Sequence, residues 1–330
     1  MITYEWRPRL EGAELDEVIE LVTEAAEYDD EAGFSHIDPT TVREVGDGNR
    51  TVAHLPIKAR RDLSPLEDVP MVIVAYLHLA VDADGLGTVS YVVHPEYRSR
   101  GGITTLLVEE IGLETDGADG WDHTGAKALR CWAYSTHPAS GRLTRRFGIP
   151  AVSRQWTLVR HLTGPFSLPL DKPEIPAGVT VTEPRELAAD DPVIADVLAS
   201  SELAPRHRDR VADDLRLGGG MVVDARNADG GEVLGFVWFS TEHRRHLELR
   251  AAPVNALVLT AAARGGGVGT ALLLSALWHQ LDADVQVSTL RIDPDDAGAV
   301  RMCRLLGYEQ EDVHSCYQLG ESSSPPPAFR

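Results

Sequence analysis

Cysteine is scarce: Cys131, Cys303 and Cys316 are the only three in 330 residues, odd in number, widely spaced and without a Cys-x-x-Cys pair. That spacing indicates neither a disulfide framework nor a zinc site, and leaves three reduced thiols in or near cores. Cations are also short, with 31 Lys and Arg against 51 Asp and Glu and a formal charge of −20. So acidic a chain repels nucleic acid and anionic lipid, both of which are bound by clustered Lys and Arg; it is compatible with a cationic substrate such as an amine. No apolar run approaches the ~18 residues of a membrane span. The start, Met1-Ile2-Thr3-Tyr4-Glu5-Trp6, has no basic segment followed by an apolar one. The expectation is a cytoplasmic protein with no nucleic-acid and no membrane partner. No Gly-x-Ser-x-Gly elbow occurs, and His243 and His246 lack the accompanying acid of a helical zinc motif, so neither a Ser-His-Asp triad nor a metal is indicated.

What the chain does have is glycine in telling places. In Arg264-Gly265-Gly266-Gly267-Val268-Gly269-Thr270 a glycine turn follows the apolar run 254–259 and precedes the leucine-rich segment 272–281. A strand that stops, a turn that bares consecutive N–H groups and a helix that starts at once make an anion cradle, and the anion expected is a pyrophosphate. A second copy stands upstream, where Tyr91-Val92-Val93-His94-Pro95-Glu96-Tyr97 runs into Arg98-Ser99-Arg100-Gly101-Gly102-Ile103-Thr104. Each copy is followed by a short helix closed around glycine, at Arg146-Phe147-Gly148-Ile149 and Leu305-Leu306-Gly307-Tyr308. Two ordered signals repeated in order mean a duplicated unit, in keeping with the ~150 residues typical of a domain.

At these residues the chain resembles the GNAT acyltransferase superfamily, whose loop is Gln/Arg-x-x-Gly-x-Gly/Ala. Arg264-x-x-Gly267-x-Gly269 fits throughout; Arg98-x-x-Gly101-x-Ile103 fits until its last position. The two-domain mycothiol synthase group is similar in Val92-Val93-His94-Pro95, Cys131-Trp132-Ala133, Gly235-Phe236-Val237-Trp238 and Gly298-Ala299-Val300-Arg301. The resemblance implies an α/β fold of two tandem GNAT domains: residues 1–163, a proline-rich linker 164–178, residues 179–320 and a disordered tail 321–330. It implies acetyl-CoA as cofactor and a small-molecule amine as acceptor.

The implied cofactor-binding residues are Leu257, Val258, Leu259, Arg264, Gly265, Gly266, Gly267, Val268, Gly269, Thr270 and Asp296. Their counterparts in the first half are Tyr91, Val92, Val93, Arg98, Ser99, Arg100, Gly101, Gly102, Ile103 and Thr104. Loop geometry favours the second half and charge the first; productive binding is expected in the second. Proton handling departs from the family pattern. The position of the strand carboxylate that serves as general base in relatives of mycothiol synthase is Pro253 here. Glu248, five residues earlier, is the candidate base. Seven residues after Asp296, where many GNAT enzymes place an acidic tyrosine, stands Cys303, the candidate acid. The departures keep open an alternative: a non-catalytic acyl-CoA-binding or sensor protein.

Overall fold

The computed structural model describes residues 2–31, 37, 39–60, 69–98, 124–133, 135, 138–188, 191–216, 219–229, 231–322, 324 and 326. Two compact units divide the chain. The first is Met1–Ser153 with His314–Ser324, the second Arg154–Val313 with Pro325–Arg330.

In the first unit, strands β1 (Ile2–Tyr4), β2 (Arg50–Arg60), β3 (Met71–Asp82) and β4 (Leu86–Val93) run antiparallel in chain order. Strand β5 (Ala128–Ala133) joins β4 in parallel, as the intervening crossover requires. Strand β14 (Glu309–Leu319) then enters this unit, pairing with β5 from Ser315↔Ala133 to Leu319↔Leu129. Helix α1 (Gly12–Glu31) buries Val18, Leu21, Val22 and Ala25 on one face at helical spacing, against Tyr76 and Val92 of the sheet. Two short helices complete the described part, α2 (Pro95–Arg98) and α3 (Pro138–Arg146).

The second unit has the sheet order β6-β13-β12-β10-β9-β7. Here β6 is Ala151–His161, β7 Val179–Val181, β9 Met221–Asn227, β10 Val233–Phe239, β12 Leu249–Leu259 and β13 Val287–Ile292, with short strands β8 (Arg185–Glu186) and β11 (Arg244–His246) at its margins. One face packs on α4 (Pro192–Ser200) and α5 (Pro205–Arg216) through Ile194, Val197, Val211, Phe236, Trp238, Ala256 and Val258. The other packs on α6 (Val268–Asp282), whose Leu272, Leu273, Ala276 and Leu277 are buried with Val254 and with Cys303 of α7 (Ala297–Leu305). Strand β10 owes its close approach to β12 to Gly235. A Cβ there would lie 2.6 Å from the Val258 carbonyl oxygen and 2.6 Å from Leu259 Cδ2. Gly235→Ala is therefore expected to cost about 3 kcal/mol in urea unfolding, the upper end for overpacking.

The alternating pattern marks both β6 and β14 as strands but not their partners, and each closes the other half's sheet. Residues 156–161 of β6 pair with β13, within the second unit, while β14 from His314 onward lies in the first. Packing thus divides the chain at 153/154 and 313/314, not within 164–178. That proline-rich segment lies on the second unit. Trp278 Nε1 donates to the Asp171 carbonyl at 2.9 Å, and Arg160 Nη2 donates to those of Leu168 and Pro169 at 3.3 and 3.2 Å. The start of the segment expected as a free tail is also held, since the Ser324 carbonyl accepts from buried Arg130.

Candidate active site

The cleft of the second unit begins where two parallel strands part. Strand β12 pairs with β13 from Ala251↔Val287 to Val254↔Leu290, and both strands run on without pairing, β12 to Leu259 and β13 to Ile292. On its other edge β12 stays joined to β10, with a bulge that places Val254 opposite Phe239 and Ala256 opposite Trp238, so Asn255 is the extra residue. The bulge is braced from below by Gln280 of α6, fully buried, whose Nε2 donates to the carbonyls of Ser240, Ala252 and Pro253 at 3.0, 3.2 and 3.2 Å.

Alternation then decides which main-chain groups face the gap. Thr260 N–H donates to the Leu234 carbonyl at 2.9 Å, so in an antiparallel ladder Val258 and Ala256 are the residues that exchange bonds with β10. Leu257 and Leu259 turn their N–H and C=O to the opposite edge, from which β13 has departed. Of the three residues expected to hold a ligand by main chain, two do so by this geometry, while Val258 presents an apolar side chain to the α4–α5 core.

The glycine loop closes the same end. Gly267 caps α6 in the left-handed region at φ 84° without a side-chain cap, and the first intrahelical bond is Ala271 N–H to the Gly267 carbonyl at 3.1 Å. The amides of Val268, Gly269 and Thr270 therefore have no acceptor within the helix, at its positive end. A Cβ on Gly269 would stand 3.2 Å from Leu259 Cδ1 and 3.4 Å from Met302 Sδ, so the first turn of α6 abuts the end of β12. These residues fit a pyrophosphate followed by an extended arm. Arg264 is engaged sideways: Nη2 donates to Asp296 Oδ2 at 2.7 Å and Nη1 lies 3.6 Å from Glu202 Oε2. Asp296, expected on the cofactor, also caps α7 by accepting from Ala299 N–H at 3.0 Å. A further pair, His207 Nε2 to Asp293 Oδ2 at 3.0 Å, joins the start of α5 to the residue after β13.

Residues 188–308 match the Acetyltransferase (GNAT) family. The chain is 30% identical over 268 residues to the mycothiol acetyltransferase of Saccharomonospora viridis, covering 75% of this chain and 80% of that one. The chain belongs to the GNAT acetyltransferase family. Over 322 residues it is 27% identical to the mycothiol acetyltransferase of Salinispora tropica, covering 94% of this chain and 95% of the relative. A solved tandem GNAT protein from the clavulanic acid biosynthesis pathway matches with a TM-score of 0.62 at 16% identity, covering 98% of this chain and all of the other. A GCN5-related N-acetyltransferase from Sphaerobacter thermophilus matches at 0.58 and 16%, covering 96% and 95%. The fold is thus the tandem GNAT fold that the repeated loops implied.

The first GNAT unit repeats the parting of strands but not its details. Pairing of β4 with β5 stops at Thr88↔Arg130, yet β4 keeps an unbroken register with β3 from Gly87 to Val93, without the bulge of β12. Arg98 is turned inward, with Nε donating to the Val93 carbonyl at 2.8 Å and its guanidinium 5.6 Å from the Tyr28 ring centroid. Tyr91 is side-chain core on the other face, its hydroxyl pushed up to about 12 by burial. Ser99, Arg100, Gly101, Gly102, Ile103 and Thr104 lie outside the described residues.

Neither candidate for proton transfer in this GNAT enzyme stands at the cleft. Strand β12 begins at Leu249, so Glu248 sits in the β11–β12 turn, 87% exposed and ion-paired with Arg245 at 2.6 Å. Leu257 lies nine residues further on, roughly 30 Å along an extended strand. Cys303 is wholly buried among Leu272, Leu273 and Tyr308, and burial, with the charge of Asp296, pushes its thiol up to about 12. A buried thiol that holds its proton so tightly is a poor acid for a leaving thiolate. Glu248→Gln is expected to leave steady-state kcat within about threefold of the parent. Cys303→Ala should do the same for kcat while lowering the thermal midpoint, because it opens a cavity in the core.

Proposed function

We propose that the second unit is the catalytic unit of an acetyl-CoA-dependent N-acetyltransferase whose acceptor is the primary amine of a small molecule, first of all the deacetylated amine form of mycothiol. One observation carries this reading: the freed main chain of Leu257 and Leu259 leads directly to the uncapped amides at Val268–Thr270. An extended arm ending in a pyrophosphate uses both. Acetyl-CoA, when bound, supplies an acyl carbon already activated as a thioester. The chain's own part is to hold that arm between β12 and β13, exclude water with the α4–α5 face, and aim backbone N–H at the carbonyl oxygen. The likeness in name and length to the mycothiol acetyltransferases supports the choice of acceptor.

A second reading has one observation in its favour. Pro253, where relatives place a carboxylate, offers neither a side-chain base nor an N–H, and its carbonyl is held by Ser240 N–H at 2.9 Å and by Gln280. A unit that binds acyl-CoA without turnover fits that position. Calorimetry with acetyl-CoA followed by thiol release over a panel of amines separates the two: binding with release supports the transferase, binding without release the sensor, and no binding removes both.

A further inference from the structure

We propose that His207 and Asp293 form the proton-accepting dyad of the second unit, with His207 as the base for the acceptor amine and Asp293 as its positioning residue. This rests on the reading of that unit as a transferase and supplies the group that Pro253, Glu248 and Cys303 do not.

The two arms of the cleft come together at this pair. His207 and Val211 are four residues apart on α5 and share a face, and Val211 is buried against Ala256 and Val258, on the arm of β12 that has parted from β13. Asp293 directly follows Ile292, the last residue of β13, so it stands at the tip of the other arm. Carrying the register Val254↔Leu290 forward puts Asp293 level with the segment at Leu257. The 3.0 Å bond from His207 Nε2 to Asp293 Oδ2 therefore spans the mouth of the gap into which Leu257 and Leu259 turn their main chain. The α4–α5 connection is tied to the same end, since Ser201 bridges to Thr260 and Glu202 lies 3.6 Å from Arg264.

The pair is also fixed in chemistry. Asp293 Oδ1 accepts from Asp295 N–H at 2.9 Å, which orients the carboxylate with Oδ2 toward the ring. A carboxylate only accepts, so the imidazole is held as the Nε2–H tautomer and Nδ1 keeps the lone pair. The side chains are 17% and 18% exposed, desolvated in the main yet open to an acceptor from outside. In the reaction, Nδ1 takes one proton from the acceptor's ammonium. The freed nitrogen pair forms the C–N bond to the acetyl carbon as the C–S bond breaks, and the thiolate leaves with that bond's electrons. The nitrogen's second proton goes to the thiolate, giving amide and free thiol, and the imidazolium returns its proton to solvent.

The test uses the full chain. His207→Gln should lower kcat by about 100- to 1000-fold, the usual yield of a positioned base, with the acetyl-CoA dissociation constant within twofold of the parent by calorimetry. Added imidazole should restore part of the rate of His207→Ala. Asp293→Asn should lower kcat about tenfold and change the ring-nitrogen NMR signature of His207 away from the Nε2–H form, and the double variant should be no slower than His207→Gln alone. A parent that turns over, with His207→Gln within threefold of it, overturns the dyad and leaves the transferase standing. Loss of acetyl-CoA affinity equal to the loss of rate, without rescue by imidazole, makes the pair a structural tie and also overturns it. A parent that does not bind acetyl-CoA overturns the transferase reading and the dyad with it.

Discussion

Gly267→Asp should weaken acetyl-CoA binding to the intact protein by on the order of 100- to 1000-fold while leaving the fold in place. Gly267 sits at φ 84°, and an added Cβ there meets only Pro176 Cγ at 3.5 Å, so space does not forbid a side chain. Asp is among the few residues that visit the left-handed region at modest cost, and a carboxylate at the start of α6 satisfies amides that otherwise have no cap. The same carboxylate would share that point with a pyrophosphate. Two like charges ~4 Å apart near a protein surface repel by about 4 kcal/mol, which in affinity is close to ~1000-fold. Calorimetry with acetyl-CoA reads the effect, and an unchanged thermal midpoint shows that it is local. Full binding by the variant would take the second loop out of the site.

The first unit should lose on the order of 3 kcal/mol of stability as the pH falls from 6.5 to 4, and His78 should be the main cause. His54 and His78 face each other across β2 and β3, 0% and 3% exposed, with rings 5.4 Å apart. His54 is satisfied at both nitrogens, by Tyr76 Oη at 2.7 Å and the Glu44 carbonyl at 2.9 Å. Burial, then the charges of His54 and Arg50, lowers His78 to about 4. Unfolded, His78 takes up its proton near ~6.5; folded, it stays neutral until about pH 4. Protons therefore favour the unfolded chain throughout that window, at ~1.36 kcal/mol per pH unit. His54, also lowered by burial, adds in the same direction.

The second unit offers the control. Its ladders place Val222, Phe236 and Trp238 where the first has His54, Tyr76 and His78. His78→Phe should flatten most of the slope in urea unfolding between pH 4.5 and 7. An equally steep slope in that variant would locate the titration elsewhere.

Legibility in the sequence followed locality. The second glycine loop could be read because a left-handed turn and a close strand approach restrict the residue type at Gly267 and Gly269, and such restriction shows in a single chain. The central strands could be read from their apolar runs. The exchange of β6 and β14 could not, because period-two alternation marks a strand without naming its neighbour. Nor could the bulge at Asn255, which shifts every position counted back from the loop and carries no glycine to betray it. Glu248 looked near the cleft only while β12 was taken to begin at Val254; it begins at Leu249. His207 and Asp293 are 86 residues apart, on a helix and after a strand, with nothing local to link them.

Backbone hydrogen exchange, compared with and without acetyl-CoA, tests most directly whether the main chain of the second unit is the binding surface. The predicted result is slowed exchange at Leu257, at Leu259 and through Gly265–Thr270, with Val258 unchanged because its N–H already belongs to the ladder with β10. Slowing confined to Tyr91–Arg98 of the first unit, or no slowing at either loop, would contradict it.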